Sequence, residues 1–220
     1  MPIQFFLQET WLCPNELSLL DNVHQHFNSF SLSSVNLQEE VLVGRPYGGI
    51  SILWNKSLGL NSNVIQYDDK KILGFSLTLQ GLTYLFLNVY LPYYCPENET
   101  NYDMYLEKVA SIIDGADAAG VVVLDDFNAH INSSFYRELI EMCSSKDLII
   151  SILLLPCNTF THVNNGSLSR SWLDHCISSQ SMHNAISNIL VDMEYSGLDH
   201  FPIYVTFNMS TLPRTQRNSW

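Results

Sequence analysis

The sequence predicts an α+β sandwich: two stacked mixed β-sheets flanked by helices, in a single domain spanning 1–220. Three observations lead there. Many short segments are rich in β-branched or aromatic residues, or alternate apolar with polar, as strands do. Two strong helical patterns sit midway, around 100–115 and 134–143. No repeat, low-complexity tract or Gly/Ser-rich linker divides the chain, so strands and helices must share one layered body.

Ile3–Leu7 is short, apolar and aromatic, and reads as a buried strand that delivers Gln8-Glu9-Thr10 at its end. Pro14 opens a segment in which Leu17, Leu20, Val23 (or His24) and Phe27 recur at helical spacing. Phe30–Val35 and Val41–Val43 are strand-like. The cluster Gly44-Arg45-Pro46-Tyr47-Gly48-Gly49 precedes the apolar Ile50–Trp54. With no lysine-serine pair and no helix after it, it is a hairpin turn rather than a phosphate cradle, although Arg45 could reach a backbone phosphate. Val64–Tyr67, Ile72–Leu79 and Leu82–Tyr90 form a three-strand meander.

Thr100-Asn101-Tyr102-Asp103 matches a capping pattern, and Tyr102, Tyr105, Leu106, Val109 and Ile113 then make one apolar stripe ending near Gly115. Val121–Leu124 is the continuous apolar run of a central strand. A second amphipathic helix runs from Ser134 to about Cys143, with Phe135, Leu139 and Ile140 (or Cys143) inward. Short strands close the chain: Thr159–Val163, Ser171–Ser178, Ile186–Met193 and Ile203–Phe207.

Apolar residues make up 46% of the chain and aromatics 12%, enough for a core and too much for disorder. No apolar stretch reaches the ~18 residues of a membrane span; the longest, Leu148–Leu155, is broken by Ser151 and stopped by Pro156. The N-terminus has no basic start, and Gln4, Gln8 and Glu9 interrupt its apolar run, so no secretory signal is read there. A monomer in the cytoplasm or nucleus, without a membrane partner, is expected. Cys13, Cys95, Cys143, Cys157 and Cys176 show no CxxC spacing, which favours reduced thiols over disulfides or zinc. The net charge of −12, from 22 acidic and 10 basic residues, opposes a nucleic-acid partner, because phosphate binding leaves a basic footprint. A bound divalent cation would offset part of it.

Side chains with chemical potential gather after the strands. Glu9 follows one and is a candidate metal ligand. Asp125-Asp126-Phe127-Asn128 ends the most buried strand; the two-residue period sends Asp126 and Asn128 to one side and Phe127 into the core. A carboxylate beside an amide can take a proton from water and hold the attacking oxygen. Asp199-His200 precedes the last strand. A histidine needs an orienting carboxylate from elsewhere in the fold, which assigns Asp174 to His200 and leaves Asp199 for a metal or the water. Tyr90 could donate to a phosphate oxygen or sit in the core, with Asn88 on the same strand face as its support. His175 serves packing, and His24, His26, His130, His162 and His183 lack ligand spacing.

Taken together, Gln8-Glu9-Thr10, Asn88-Val89-Tyr90-Leu91-Pro92, Asp126-Phe127-Asn128, Ser171-Trp172-Leu173-Asp174-His175 and Asp199-His200-Phe201-Pro202-Ile203 resemble the endonuclease/exonuclease/phosphatase superfamily. Within it, Gln8–Leu12, Gly48–Trp54 and Asp126–His130 are most similar to the endonuclease domain of LINE-type (non-LTR) retrotransposons. The resemblance implies a DNase I-like four-layer sandwich and nicking of double-stranded target DNA with Mg²⁺, or Mn²⁺ in its place. It implies metal ligation by Glu9 and Asp199, water activation by Asp126, and transition-state contacts from Asn128, Tyr90 and His200. Asp174 would orient His200, with Arg45 and Asn88 on the substrate. The family pattern begins with an asparagine-bearing strand and a helix, both expected to be absent ahead of Glu9, which leaves the Ile3–Leu7 strand with an open edge. Asp125, Leu198 and Tyr93 stand where the family has glycine, serine and asparagine. Two rival readings are a catalytically impaired remnant of such a domain and a small-molecule phosphatase of the same superfamily.

Overall fold

The computed structural model describes residues 4–37, 41–42, 44–151, 155, 159–194 and 198–212. Its strands in chain order are β1 (Gln4–Gln8), β2 (Phe27–Leu32), β3 (Ile50–Asn55), β4 (Ser62–Gln66), β5 (Ile72–Leu79), β6 (Leu82–Tyr90), β7 (Gly120–Asp126), β8 (Leu148–Ile150), β9 (His162–Val163), β10 (Arg170–Ser171), β11 (Asp174–Ser179), β12 (Ile186–Val191) and β13 (Ile203–Phe207). Helices are α1 (Glu99–Gly115), α2 (Ser134–Ser145) and α3 (Gln180–Ala185).

A six-stranded sheet in the order β4-β5-β6-β7-β11-β8 forms the middle of the molecule. The β4-β5-β6 meander is antiparallel, and α1 then carries the chain over to β7, which lies parallel to β6. Alternation along β6 serves two cores at once. Leu85, Leu87 and Val89 pack under α1 and α2, together with Tyr102, Leu106, Val109, Phe135 and Leu139. Tyr84 and Phe86 point the other way, into a second core shared with Ile50 and Ile52.

That second core is covered by two smaller sheets, a three-stranded one ordered β1-β3-β2 and the pair β12-β13. Phe86 bridges them, stacking on Phe6 at 6.4 Å and meeting Phe207 edge-on at 6.1 Å. β1 pairs with β3 alone among the described strands, which makes it an edge strand of its sheet. Fully buried Asn88 fastens this layer to the main sheet: its amide donates to the carbonyls of Ser51 (2.9 Å) and Leu7 (3.3 Å), and its oxygen accepts from Gln8 Nε2 at 2.9 Å.

Several expectations need correcting. The helical spacing over Pro14–Phe27 yields only a 3-10 turn, Leu17–Asn22, with no buried residue. Leu19 and Val23 face solvent, and Phe27 instead opens β2, which ends at Leu32 rather than reaching Val35. Without an apolar face to bury, spacing alone does not hold a helix. The Val41–Val43 segment is irregular where described, and Val43 lies outside the described residues. Thr159–Val163 contracts to the two residues of β9, and Trp172-Leu173 separates β10 from β11. In α2, Cys143 rather than Ile140 turns inward. Cys13, Cys95, Cys143 and Cys176 form no disulfide; Cys157 lies outside the described residues. No described helix is long and apolar enough to cross a membrane.

Candidate active site

Strand register lines up the chemistry. Because β6 and β7 run parallel, Tyr90 and Asp126 end side by side as Cα partners; β11 runs antiparallel to β7 and begins with Asp174 opposite Asp126. Three adjacent strands thus present Tyr90, Asp126 and Asp174 in a row at one rim of the main sheet. Asp126 and Asp174 are nearly buried, and Phe127 anchors the strand end in the core.

Asn128 turns back beside Asp126 in the left-handed region (φ 50°), which asparagine tolerates better than most residues. Its backbone N–H donates to Asp126 Oδ1 at 2.8 Å, and its side-chain amide donates to Asp126 Oδ2 and to the Leu91 carbonyl, each at 2.9 Å. With both amide hydrogens used in this way, Asn128 fixes the orientation of Asp126. His200 is joined through Nδ1 to both oxygens of Asp174, at 2.9 and 3.0 Å. Ligand atoms of Asp126, Asp174 and His200 lie within 4.8 Å of one another.

Electrostatics follow from this crowding. Burial, with the Asp174 charge close by, holds Asp126 well above the ordinary carboxylate range, against the opposing pull of His200 and the Asn128 N–H. Burial works against a charged His200, but the hydrogen bond and charge of Asp174, aided by Asp126 and Asp199, outweigh it and raise the imidazole to about 10. At neutral pH His200 is therefore a cation next to a carboxyl group that binds protons readily.

The opposite wall comes from β1. Glu9 and Trp11 both take left-handed backbone, φ 47° and 52°, a conformation costly for residues with a Cβ. Carbonyls of Gly49 and Gly48 hold the segment, accepting from the N–H groups of Thr10 (3.3 Å) and Trp11 (2.9 Å). Gly49 has φ +88°, and a Cβ there would stand 2.5 Å from Thr10 Oγ1. The glycine cluster is thus a clamp on the Glu9 segment. Tyr90 donates its hydroxyl to Glu9 Oε1 at 2.5 Å, and burial together with that carboxylate keeps the phenol protonated.

Glu9, Tyr90, Asp126, Asn128, Asp199 and His200 share a cavity of about 870 Å³, with Asp174 behind His200. One expected substrate contact, Asn88, belongs elsewhere, and Arg45 lies outside the cavity lining. Asn88 lies sealed between the sheets, its donors and acceptor taken by protein groups. The Arg45 guanidinium stacks on the Trp11 ring, 4.1 Å from its centroid, and Arg45 is not among the cavity's lining residues. The side chain of Asp125 lies outside the description. Leu198 is exposed.

Sequence spacing missed other contributors. Thr161, fully buried, receives the N–H groups of Leu173 and Asp174 on its Oγ1 and that of Phe201 on its carbonyl, tying both halves of the Asp174–His200 pair to one residue. His162 lines the cavity and packs against His200 at 4.8 Å between ring centroids. His130 also lines it and accepts the Trp172 N–H at 3.1 Å. The Lys71 ammonium lies over the Tyr90 ring at 4.7 Å. Only the two-residue alternation of Thr161 and Val163 about His162 hinted at this wall.

The donor set suits a hard divalent ion. Glu9, Asp126 and Asp199 offer carboxylate oxygens to one cavity, and the burial and neighbouring acidic charge that raise Asp126 are what a cation would offset. Among the described residues the compact ligand group contains one histidine and no cysteine, unlike a closed zinc site.

Residues 84–204 match the sequence model of a family described as endonuclease-reverse transcriptase. No curated protein matches the chain in sequence. Similar solved structures include the 3'-5' exonuclease NExo from Neisseria meningitidis, with 18% identity, TM-score 0.70, and 94% of this chain and 90% of that chain covered. The catalytic domain of Xenopus laevis APE2 matches at 14% identity and TM-score 0.72, covering 94% of this chain and 83% of that one. The endonuclease domain of TRAS1, a telomere-specific non-LTR retrotransposon, matches at 15% identity and TM-score 0.59, over 88% and 91%. At such identities the likeness is one of fold, that of the endonuclease/exonuclease/phosphatase superfamily, in accord with the resemblance drawn from the motifs.

Proposed function

Because residues 84–204, more than half of the chain, place it in the endonuclease-reverse transcriptase family, we propose that its cavity hydrolyses phosphodiester bonds of DNA with the help of Mg²⁺ or Mn²⁺. The observation that carries this reading is the Asp126–Asp174–His200 group, whose ligand atoms lie within 4.8 Å of one another and whose Asp126 and His200 share a cavity with Glu9. Glu9, with Asp126 or Asp199, would hold the cation, which supplies positive charge to the phosphate and the leaving oxygen.

The protein's own groups do the rest. Asp126, aimed by Asn128, accepts a proton from the water that attacks phosphorus. As the new P–O bond forms and the old one breaks, charge grows on the non-bridging oxygens. His200, kept cationic by Asp174, stabilises that charge without having to be protonated during the reaction. Tyr90 keeps the Glu9 carboxylate turned to the cavity.

The test offers purified protein a single-stranded circular DNA and a supercoiled plasmid side by side. Cleavage of either should require Mg²⁺ or Mn²⁺ and fall by about 10²–10⁴-fold in Asp126→Ala, the span a lost general base produces; Glu9→Ala should also be severely impaired. Undiminished cleavage in both variants would reject the assignment.

A further inference from the structure

Resting on that reading, we propose that the strand this cavity accepts is unpaired, a single-stranded nucleic acid whose bases stack on Tyr93 and Tyr94. Both tyrosines line the cavity and are largely exposed, at 66% and 54%, on the short connection from β6 to α1 that begins just after Tyr90. Their mounting is firm. Tyr94 meets Phe135 edge-on at 5.1 Å, and Phe135 stacks on Tyr102 at 3.8 Å, so an aromatic ladder runs from the helical core to the rim. Asn98 fixes the loop by donating from Nδ2 to the Tyr93 carbonyl at 2.9 Å.

Charge argues the same way. Among the described residues no lysine or arginine lines the cavity, whereas Glu9, Asp126 and Asp199 do. Among the described residues, Lys108 pairs with Asp69, Lys146 pairs with Asp114, and Arg170 lies over Phe160. The arginine and lysine nearest the site, Arg45 and Lys71, lie over Trp11 and Tyr90 at the Glu9 end. A duplex carries a phosphate charge about every 1.7 Å of axis and is held mainly by neutralising many of them. A protein with net charge −12, whose cavity offers the His200 cation but no lysine or arginine among the described residues, can neutralise few of them. An unpaired strand brings half the charge density and exposes base faces, which a duplex keeps stacked on their neighbours. Stacking on an aromatic side chain is tolerant of sequence and worth about 5- to 150-fold in affinity per base.

The test is fluorescence anisotropy of a 5′-labelled 12-mer, single-stranded or annealed to its complement, titrated with the full chain in EDTA so that nothing turns over. The single strand should bind at least 10-fold more tightly. Its affinity should drop by about 5- to 150-fold in Tyr93→Ala, hold in Tyr93→Trp, and vary weakly with salt, with a log–log slope of about −1.4 to −2.1, as for two or three phosphate contacts. Equal or tighter binding of the duplex, or single-strand binding that ignores Tyr93→Ala, would overturn the proposal. Because binding is read without catalysis, a strong single-strand preference in a protein that cleaves neither substrate supports this inference while rejecting the hydrolase.

Discussion

The two walls of the cavity are built in opposite ways. On the main-sheet side, Asp126 and Asp174 sit in register on paired strands, hold His200 and Asn128 through bonds of 2.8 to 3.0 Å, and are nearly buried. On the other side, Glu9 leaves an edge strand through two left-handed residues, is itself exposed, and is kept in place by a glycine clamp and one phenol. The first wall would keep its geometry through most surface changes. The second spends local strain to aim one carboxylate, and is where the site is easiest to disable without unfolding the protein.

Breaking the first wall should have the largest effect. Asp174→Asn removes the partner of a mostly buried His200 and should cost roughly 2–3 kcal/mol at neutral pH, below the cost of breaking a fully buried pair because part of the imidazole still meets water. The sign can be checked in metal-free protein. A folded-state pKa near 10, above the unfolded ~6.5, means the pair stabilises fully below pH ~6.5 and loses that contribution as pH rises through about 10. Asp174→Asn should flatten that slope and bring the His200 NMR titration back toward 6.5; an unchanged titration would remove Asp174 as its cause.

Asn88→Ala attacks the joint between the walls. It strands the Ser51 and Leu7 carbonyls and should cost about 2 kcal/mol by urea denaturation, with β1 amides exchanging faster than those of β7. Uniform exchange across both strands would show that the layers do not separate. Gly49→Ala bears on the clamp: a Cβ at φ +88° and 2.5 Å from Thr10 Oγ1 should cost about 1–2 kcal/mol and weaken Mn²⁺ binding by calorimetry, while the His200 titration stays put. Tyr90→Phe should be mildest, about 0.5–1.5 kcal/mol of lost tether on Glu9, seen as a 2- to 10-fold weaker Mn²⁺ affinity.

The same contrast decides what the sequence disclosed. Asp126, Asn128 and the β6–α1–β7 crossover were legible, because long apolar runs and a capped amphipathic helix leave few alternatives. Asp174 as the partner of His200 followed from what an imidazole requires. Asn88 was misjudged because its type suits substrate contact, whereas the fold uses it in a buried joint; Arg45 lies over the Trp11 face beside the Glu9 segment. Thr161 and His162 went unseen because their roles arise from long-range contacts, the Thr161 Oγ1 bonds to the Leu173 and Asp174 N–H groups and the bridge between His162 and His200, which spacing along one strand barely signals. The failed Pro14–Phe27 helix has the converse cause: good spacing with no core to face.

The most direct test of the account is anomalous diffraction from a crystal soaked in Mn²⁺. A single strong peak inside the cavity, with Glu9 and at least one of Asp126 and Asp199 among its ligands, is the predicted result. A cavity without a peak at saturating Mn²⁺, or a peak held by residues on another face, would contradict the claim that the two walls meet around one cation.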